Sequence, residues 1–173
     1  MLGDKMLRYE KFTEKHIPIY YEWRNDESVA IYDQSEFLRP RSYEEIETWA
    51  TRLVEGYTYI AYDGDTPIGT IALMNVDFRN RHAELAIVIG NKNYWSKGYG
   101  TQMMKKLLEM AFEGLNLNRV YLHVFSFNKR AINLYEKFGF KHEGTMRNML
   151  YRNGKYHDTY IYGLHKQENT FDT

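Results

Sequence analysis

The sequence predicts an α/β chain of the α+β kind, with a mixed, mostly antiparallel sheet, one parallel pair of central strands and about four helices. Three observations predict it. Stretches that alternate with period two recur at short intervals between residues 57 and 89, separated by turn residues, as antiparallel neighbours do. Residues 84–127 then read strand, glycine-punctuated loop, helix, strand, and a helical crossover brings its two strands together in parallel. Last, Asn153-Gly154 sits between two extended stretches, the strongest short hairpin signal.

The elements follow in order. Residues 7–12 alternate weakly as a first strand, and Thr13 can cap a helix carrying Ile17, Ile19, Tyr20 and Trp23. From 25 to 41 the pattern breaks into polar and aromatic residues, among them Asp26, Glu27, Tyr32, Asp33, Glu36 and Phe37, which reads as a loop or broken helix. Ser42 followed three residues later by Glu45 is a capping box, and Ile46, Trp49 and Leu53 mark the buried stripe of a second helix. Strands at 57–62 and 67–74 flank the turn Asp63-Gly64-Asp65. A central strand follows from Glu84, with Leu85, Ile87 and Ile89 on one face and Glu84, Ala86 and Val88 on the other. From Thr101, Met103, Met104, Leu107, Leu108, Met110 and Ala111 recur at helical spacing. Residues 119–127 form the fifth strand, Asn128 caps the next helix, Gly139 ends it, and 140–147 and 156–164 are the hairpin strands. One domain over 1–173 is expected, with flexible ends at 1–6 and 166–173.

Composition narrows the function. Lys plus Arg and Asp plus Glu each total 23, so nothing in the overall charge favours nucleic acid. Cysteine is absent, which excludes disulfides, thiolate catalysis and cysteine-ligated metal. The six histidines show no metal-ligand spacing, so no metal is expected. No apolar run approaches the roughly 20 residues that span a bilayer. A cytoplasmic protein is the default, with no membrane or nucleic-acid partner, and homo-oligomerisation is left open.

The chemistry concentrates between residues 83 and 101. Gly98 and Gly100 open a helix whose first amides have no internal partner and point outward with the positive end of the dipole, a place for phosphates. A Rossmann fingerprint is excluded because Met103 stands where its third glycine belongs, and a P-loop because the count from Gly90 reaches Trp95. What Trp95-Ser96-Lys97-Gly98-Tyr99-Gly100-Thr101 resembles is the pyrophosphate loop of the GNAT acyl-CoA N-acetyltransferases, Gln or Arg, two residues, Gly, one residue, Gly or Ala. Trp95 departs from that pattern, at small cost where backbone amides make the contacts. A second and more specific likeness lies in Asn128-Lys-Arg-Ala131-Ile-Asn-Leu-Tyr135-Glu-Lys137-Phe-Gly139-Phe140, where Asn128, Ala131 and Tyr135 share a helix face. It resembles the GNAT segment whose Asn contacts the pantetheine arm and whose Tyr protonates the departing thiolate.

The resemblance implies a sheet whose fourth and fifth strands splay to admit pantetheine, with backbone groups near Ile87, Val88 and Ile89 pairing with its amides. It implies acetyl-CoA as cosubstrate, with Asn128 and Ala131 along the arm; Lys97, Lys137 and Arg130 read as solvated side chains, one of which could meet a CoA phosphate. Tyr135 is the expected acid toward the sulfur, and Glu84, beside small Ala86, the expected base toward the amine, directly or through an ordered water, with a water chain alone as the alternative. Plain alternatives stand beside these: Tyr135 as a core tyrosine, Glu84 as an ion-pair partner of Arg79 or Arg81, and Asn128 as no more than a cap. The acceptor is a small-molecule amine. Arg81-His82-Ala83-Glu84 and the stretches at 146–147 and 158–159 resemble the polyamine members of a branch that also contains ribosomal-protein N-terminal acetyltransferases. The acidic residues Asp26, Glu27, Asp33 and Glu36 could receive a polycation, and Trp23, Tyr32 and Phe37 could stack an acceptor. A protein N-terminus or amino sugar as acceptor, and a CoA-binding module without turnover, are the alternatives.

Overall fold

The computed structural model describes residues 5–36 and 38–171. Seven strands are hydrogen-bonded in the order β1-β2-β3-β4-β5-β7-β6: β1 Arg8–Lys11, β2 Tyr57–Asp63, β3 Thr66–Asp77, β4 His82–Ile89, β5 Arg119–Phe125, β6 Lys141–Arg152 and β7 Lys155–His165. The pairs β1–β2, β2–β3, β5–β7 and β6–β7 are antiparallel, and β4–β5 is parallel, as expected. Five α-helices accompany them among the described residues: α1 Ile17–Asn25, α2 Glu27–Ala30, α3 Tyr43–Glu55, α4 Tyr99–Glu109 and α5 Lys129–Lys137. The fifth is α2, a single turn inside the stretch read as a broken helix. Two compact units are distinguished, one running to Met74 and resuming over Ala86–Leu107, the other formed by Asn75–Leu85 and the chain from Leu108.

In the first unit Phe12, Ile17, Trp23, Ala50 and Ile60 form a buried cluster under α1, α3 and β2. The capping box is present as read: Ser42 Oγ accepts from Glu45 N at 3.1 Å, and Glu45 Oε2 accepts from Ser42 N at 2.9 Å. These bonds satisfy donors the helix cannot, an effect of about 1 kcal/mol for a Ser cap. The stripe of α3 is rotated from expectation. Ile46 and Ala50 are its buried residues, whereas Trp49 is 38% exposed and lies under the Arg41 guanidinium at 4.2 Å. Small Ala50 lets the helix approach the cluster, and the larger indole covers its flank.

In the second unit Val120, Leu122 and Val124 of β5 point into the core, and Phe138, Phe140 and Leu164 close it. Asn153 and Gly154 have φ of 50° and 76°, the left-handed pair a two-residue hairpin turn requires. The segment after His165, expected to fray, makes specific contacts as far as Phe171. Lys166–Glu168 makes a helical turn, Thr170 Oγ1 donates to the Lys137 carbonyl at 3.1 Å, and Phe171 stacks on Phe138 at 4.1 Å. The polar composition hid this, because the anchor is one aromatic among hydrogen-bonding groups.

Glu168 fastens that segment. Its carboxylate accepts from Lys141 Nζ at 2.6 Å, from the His165 amide at 3.2 Å, and contacts the His165 ring at 3.1 Å. Lys141 first, then His165, lower the Glu168 pKa to about 2 from its ordinary 4.5. The folded-state pKa is depressed, so this stabilisation is complete above pH 4.5 and is lost as pH falls toward about 2. Glu168→Gln should therefore lose less stability than the parent between pH 6 and pH 3, measured by urea unfolding; equal pH dependence would show that Glu168 does not carry the effect.

Candidate functional site

The first unit holds the end of β4 and the start of α4. Helix α4 begins at Tyr99, two residues before Thr101, and its first bonds are donated by Thr101 N and Gln102 N to the Gly98 carbonyl at 3.2 and 3.4 Å. The amides of Lys97, Gly98, Tyr99 and Gly100 donate to no carbonyl among the described residues. Gly98 has φ of 86° and nothing within 4 Å of where a Cβ would stand, so the backbone turns there and leaves the approach open. Four adjacent donors at a helix start, beside an unobstructed glycine, suit a doubly charged pyrophosphate.

Several side chains hold this loop. Trp95 donates its indole N–H to the Ile89 carbonyl at 2.8 Å, so the residue that departs from the usual pattern latches the loop to the end of β4. Its ring meets the edge of Tyr32 at 6.0 Å. Tyr94 packs on Tyr99 at 5.0 Å and donates to Asp63 Oδ2 at 3.2 Å. Lys92 Nζ pairs with Asp26 Oδ2 at 3.0 Å, and Asp26 also caps α2 by accepting from Ser28 N. Of the strand residues expected to meet pantetheine, Val88 abuts Gly69 of β3 through its carbonyl, and Ile89 gives its carbonyl to Trp95.

The residues expected at the acceptor fare differently. Trp23 is 7% exposed within the core cluster, and a Cβ on Gly90 would lie 2.2 Å from its ring. Its ring is committed to packing rather than free to stack an acceptor. Phe37 lies outside the described residues. Tyr32 is partly exposed at the loop. Three of the four acidic residues already have cationic partners: Asp26 has Lys92, Asp33 Oδ2 accepts from Arg24 at 2.6 Å, and Glu36 lies 3.7 and 3.6 Å from Arg39 and Arg41. Burial pushes the Asp33 carboxyl up, against the pull of Arg24. Much of the negative field offered to a polycation is thus neutralised within the chain.

The second unit holds the expected catalytic pair. The parallel ladder runs from His82↔Arg119 to Glu84↔Tyr121, and among the described residues no pairing of β4 with β5 extends past it. Glu84 is bound neither to Arg79 nor to Arg81; the Arg81 guanidinium goes to Asn116, with Nε on its carbonyl at 2.9 Å. Instead Glu84 Oε2 accepts from Asn75 Nδ2 at 2.9 Å, and Oε1 meets His123 Nδ1 at 2.9 Å. The sequence reading gave His123 and Asn75 no part. His123 was legible: it shares with Tyr121 the face of β5 opposite Val120, Leu122 and Val124, two residues beyond the partner of Glu84. Burial, with Glu84 adding, pushes the Tyr121 phenol up.

On α5, Asn128 Oδ1 accepts from Ala131 N at 3.3 Å, so the cap is real and leaves the amide nitrogen for a ligand. Tyr135 lies one turn beyond Ala131, 7% exposed, its ring against Phe140 at 5.8 Å. Lys137 sits at the far end of the helix, Nζ 5.6 Å from the Phe171 ring centre. That places it at the C-terminal turn, beside the anchored end of the chain.

The Trp95 latch can be tested alone. Trp95→Phe keeps a ring for Tyr32 and removes the bond to Ile89, so acetyl-CoA affinity by calorimetry should fall about fivefold, the equivalent of a hydrogen bond of ~1 kcal/mol. Unchanged affinity would mean the loop holds its shape without it.

Against known proteins, the family described as Acetyltransferase (GNAT) domain matches residues 7–141. YdaF of Bacillus subtilis (strain 168), named as a ribosomal N-acetyltransferase, is 40% identical over 109 residues, 63% of this chain and 58% of that protein. The spermidine N(1)-acetyltransferase of Vibrio cholerae is 35% identical over 91 residues, 53% of this chain and 52% of that one. The chain thus spans little more than half the length of these curated relatives. In the crystal structure of spermidine N-acetyltransferase from Vibrio cholerae with CoA and spermine, the fold is shared at a TM-score of 0.84, with 24% identity over 95% of this chain and 98% of that one. The phosphate-type loop, the capped helix with Tyr135, and a family match over most of the chain agree, and the chain belongs to the GNAT acetyltransferase family.

Proposed function

We propose that this chain is an N-acetyltransferase that moves the acetyl group of acetyl-CoA to a primary amine by direct attack. The observation that supports the reading is the run of open amides from Lys97 to Gly100, donors of the kind a pyrophosphate needs. On this reading those amides hold the pyrophosphate, the edge of β4 at Ile87–Ile89 receives the pantetheine amides, and Asn128 and Ala131 line the arm. Tyr135 is the proton donor to the departing sulfur. A tyrosine hydroxyl is an O–H donor that can give its proton to a departing thiolate. Direct transfer needs no covalent enzyme intermediate, consistent with a chain that has no cysteine.

For the acceptor, a polyamine such as spermidine is favoured by the 35% identical Vibrio cholerae relative, which acetylates spermidine at N1 by its name. A protein N-terminus is the second reading. It is supported by the 40% identity to YdaF and by the in-chain pairing of Asp26, Asp33 and Glu36, which weakens the case for a polycation at that loop.

The deciding experiment is free-thiol release from acetyl-CoA with spermidine, spermine and a peptide bearing a free N-terminus. Thiol release with the polyamines over the peptide supports the first acceptor, the reverse the second, and tight CoA binding with no release a module without turnover. Tyr135→Phe should lower kcat by about 100-fold with little change in acetyl-CoA affinity; an unchanged rate would remove Tyr135 from the chemistry.

A further inference from the structure

Resting on the acetyl-transfer reading, we propose that the proton of the incoming ammonium is taken by His123, and that Glu84, the expected base, is the residue that positions it. The two oxygens of Glu84 are both engaged, Oε2 by Asn75 Nδ2 and Oε1 by His123 Nδ1, each at 2.9 Å. An ionised carboxylate only accepts, so the hydrogen between it and the imidazole is on Nδ1, and the lone pair of neutral His123 is on Nε2. Nε2 has no partner among the described residues. The imidazole is also the more open of the two side chains, 41% exposed against 18% for Glu84. A carboxylate behind Nδ1 and a lone pair on the exposed nitrogen is the arrangement that sets an imidazole as base in acyl-transfer triads.

The surroundings leave Glu84 as the one carboxylate on the imidazole among the described residues. On β5 the neighbour is Tyr121, whose ring lies 6.3 Å from His123 and 6.0 Å from His82. His82 in turn faces Asp77 at 3.9 Å. Arg119 lies over Tyr121 at 5.9 Å, and Glu143 of β6 pairs with Arg119. Across the ladder, β7 sets Ile161 opposite His123. Asn75, with φ of 49°, completes the clamp from the end of β3 and keeps Glu84 from turning outward.

The step balances. The ammonium gives one proton to His123 Nε2, and the freed amine pair forms the bond to the thioester carbon. When the carbon–sulfur bond breaks, its electrons leave with sulfur. The second proton lost by nitrogen replaces the one Tyr135 donates, so CoA departs as the thiol. The imidazolium then returns its proton to water.

Rate against pH, with acetyl-CoA and the best amine of the panel, tests the assignment. His123→Gln should lower kcat about 100-fold and abolish the acidic limb of the profile while leaving acetyl-CoA affinity unchanged. Glu84→Gln should cost less and keep that limb, because the imidazole that takes the proton is still present. A limb that vanishes in Glu84→Gln and survives in His123→Gln would overturn the proposal in favour of Glu84; survival in both would overturn it in favour of water. Nitrogen-15 NMR of the imidazole needs no turnover: neutral His123 protonated on Nδ1 supports the clamp, and protonation on Nε2 overturns it. A parent protein that releases no thiol with any amine overturns the transfer reading itself, an outcome the NMR result separates from failure of the clamp.

Discussion

A helix cannot bond its own first amides, and the features of the loop before α4 are arranged around that fact. In α4 the donors from Lys97 to Gly100 stay open because the chain turns at Gly98 with a left-handed φ and brings nothing over them. Such a turn has few contacts of its own. It is held from outside, by the Trp95 indole on the Ile89 carbonyl, by Tyr94 between Tyr99 and Asp63, and by Lys92 on Asp26. Substituting Trp for the usual Gln or Arg at position 95 therefore leaves the donor set intact and changes how it is fastened.

Electrostatics divide the molecule by local pairing. The chain is neutral overall, and the acidic stretch near α2 is largely matched by Arg24, Arg39, Arg41 and Lys92. Charges matched at this range project little field beyond a Debye length, about 8 Å at physiological salt. Glu84 is held differently, by oriented groups at short range, with Asn75 on one oxygen and His123 on the other.

What was legible in the sequence was what neighbouring residues decide among themselves. The Ser42–Glu45 box, the Asn128 cap and the Asn153-Gly154 turn each depend on a few consecutive residues, and each is present. The parallel order of β4 and β5 followed from the helical crossover between them. What long-range packing decides was not legible. Trp23 looks amphipathic along its helix, yet Gly90, 67 positions on, gives its ring a floor. Ile46 and Ala50 hold the buried stripe of α3, and Trp49 lies on its flank under Arg41. Glu84 had two arginines nearby in sequence, and the fold turns Arg81 to Asn116 and supplies a histidine from the next strand instead.

The three tryptophans sit in three unlike settings, and this has an optical consequence. Trp23 is enclosed in the core against Gly90, and Trp49 lies beneath the Arg41 guanidinium on the flank of α3. Trp95 alone is tied by its own N–H to the strand that ends at the anion loop. An indole fluorophore is therefore fastened directly to the loop of open amides, in surroundings unlike those of the other two.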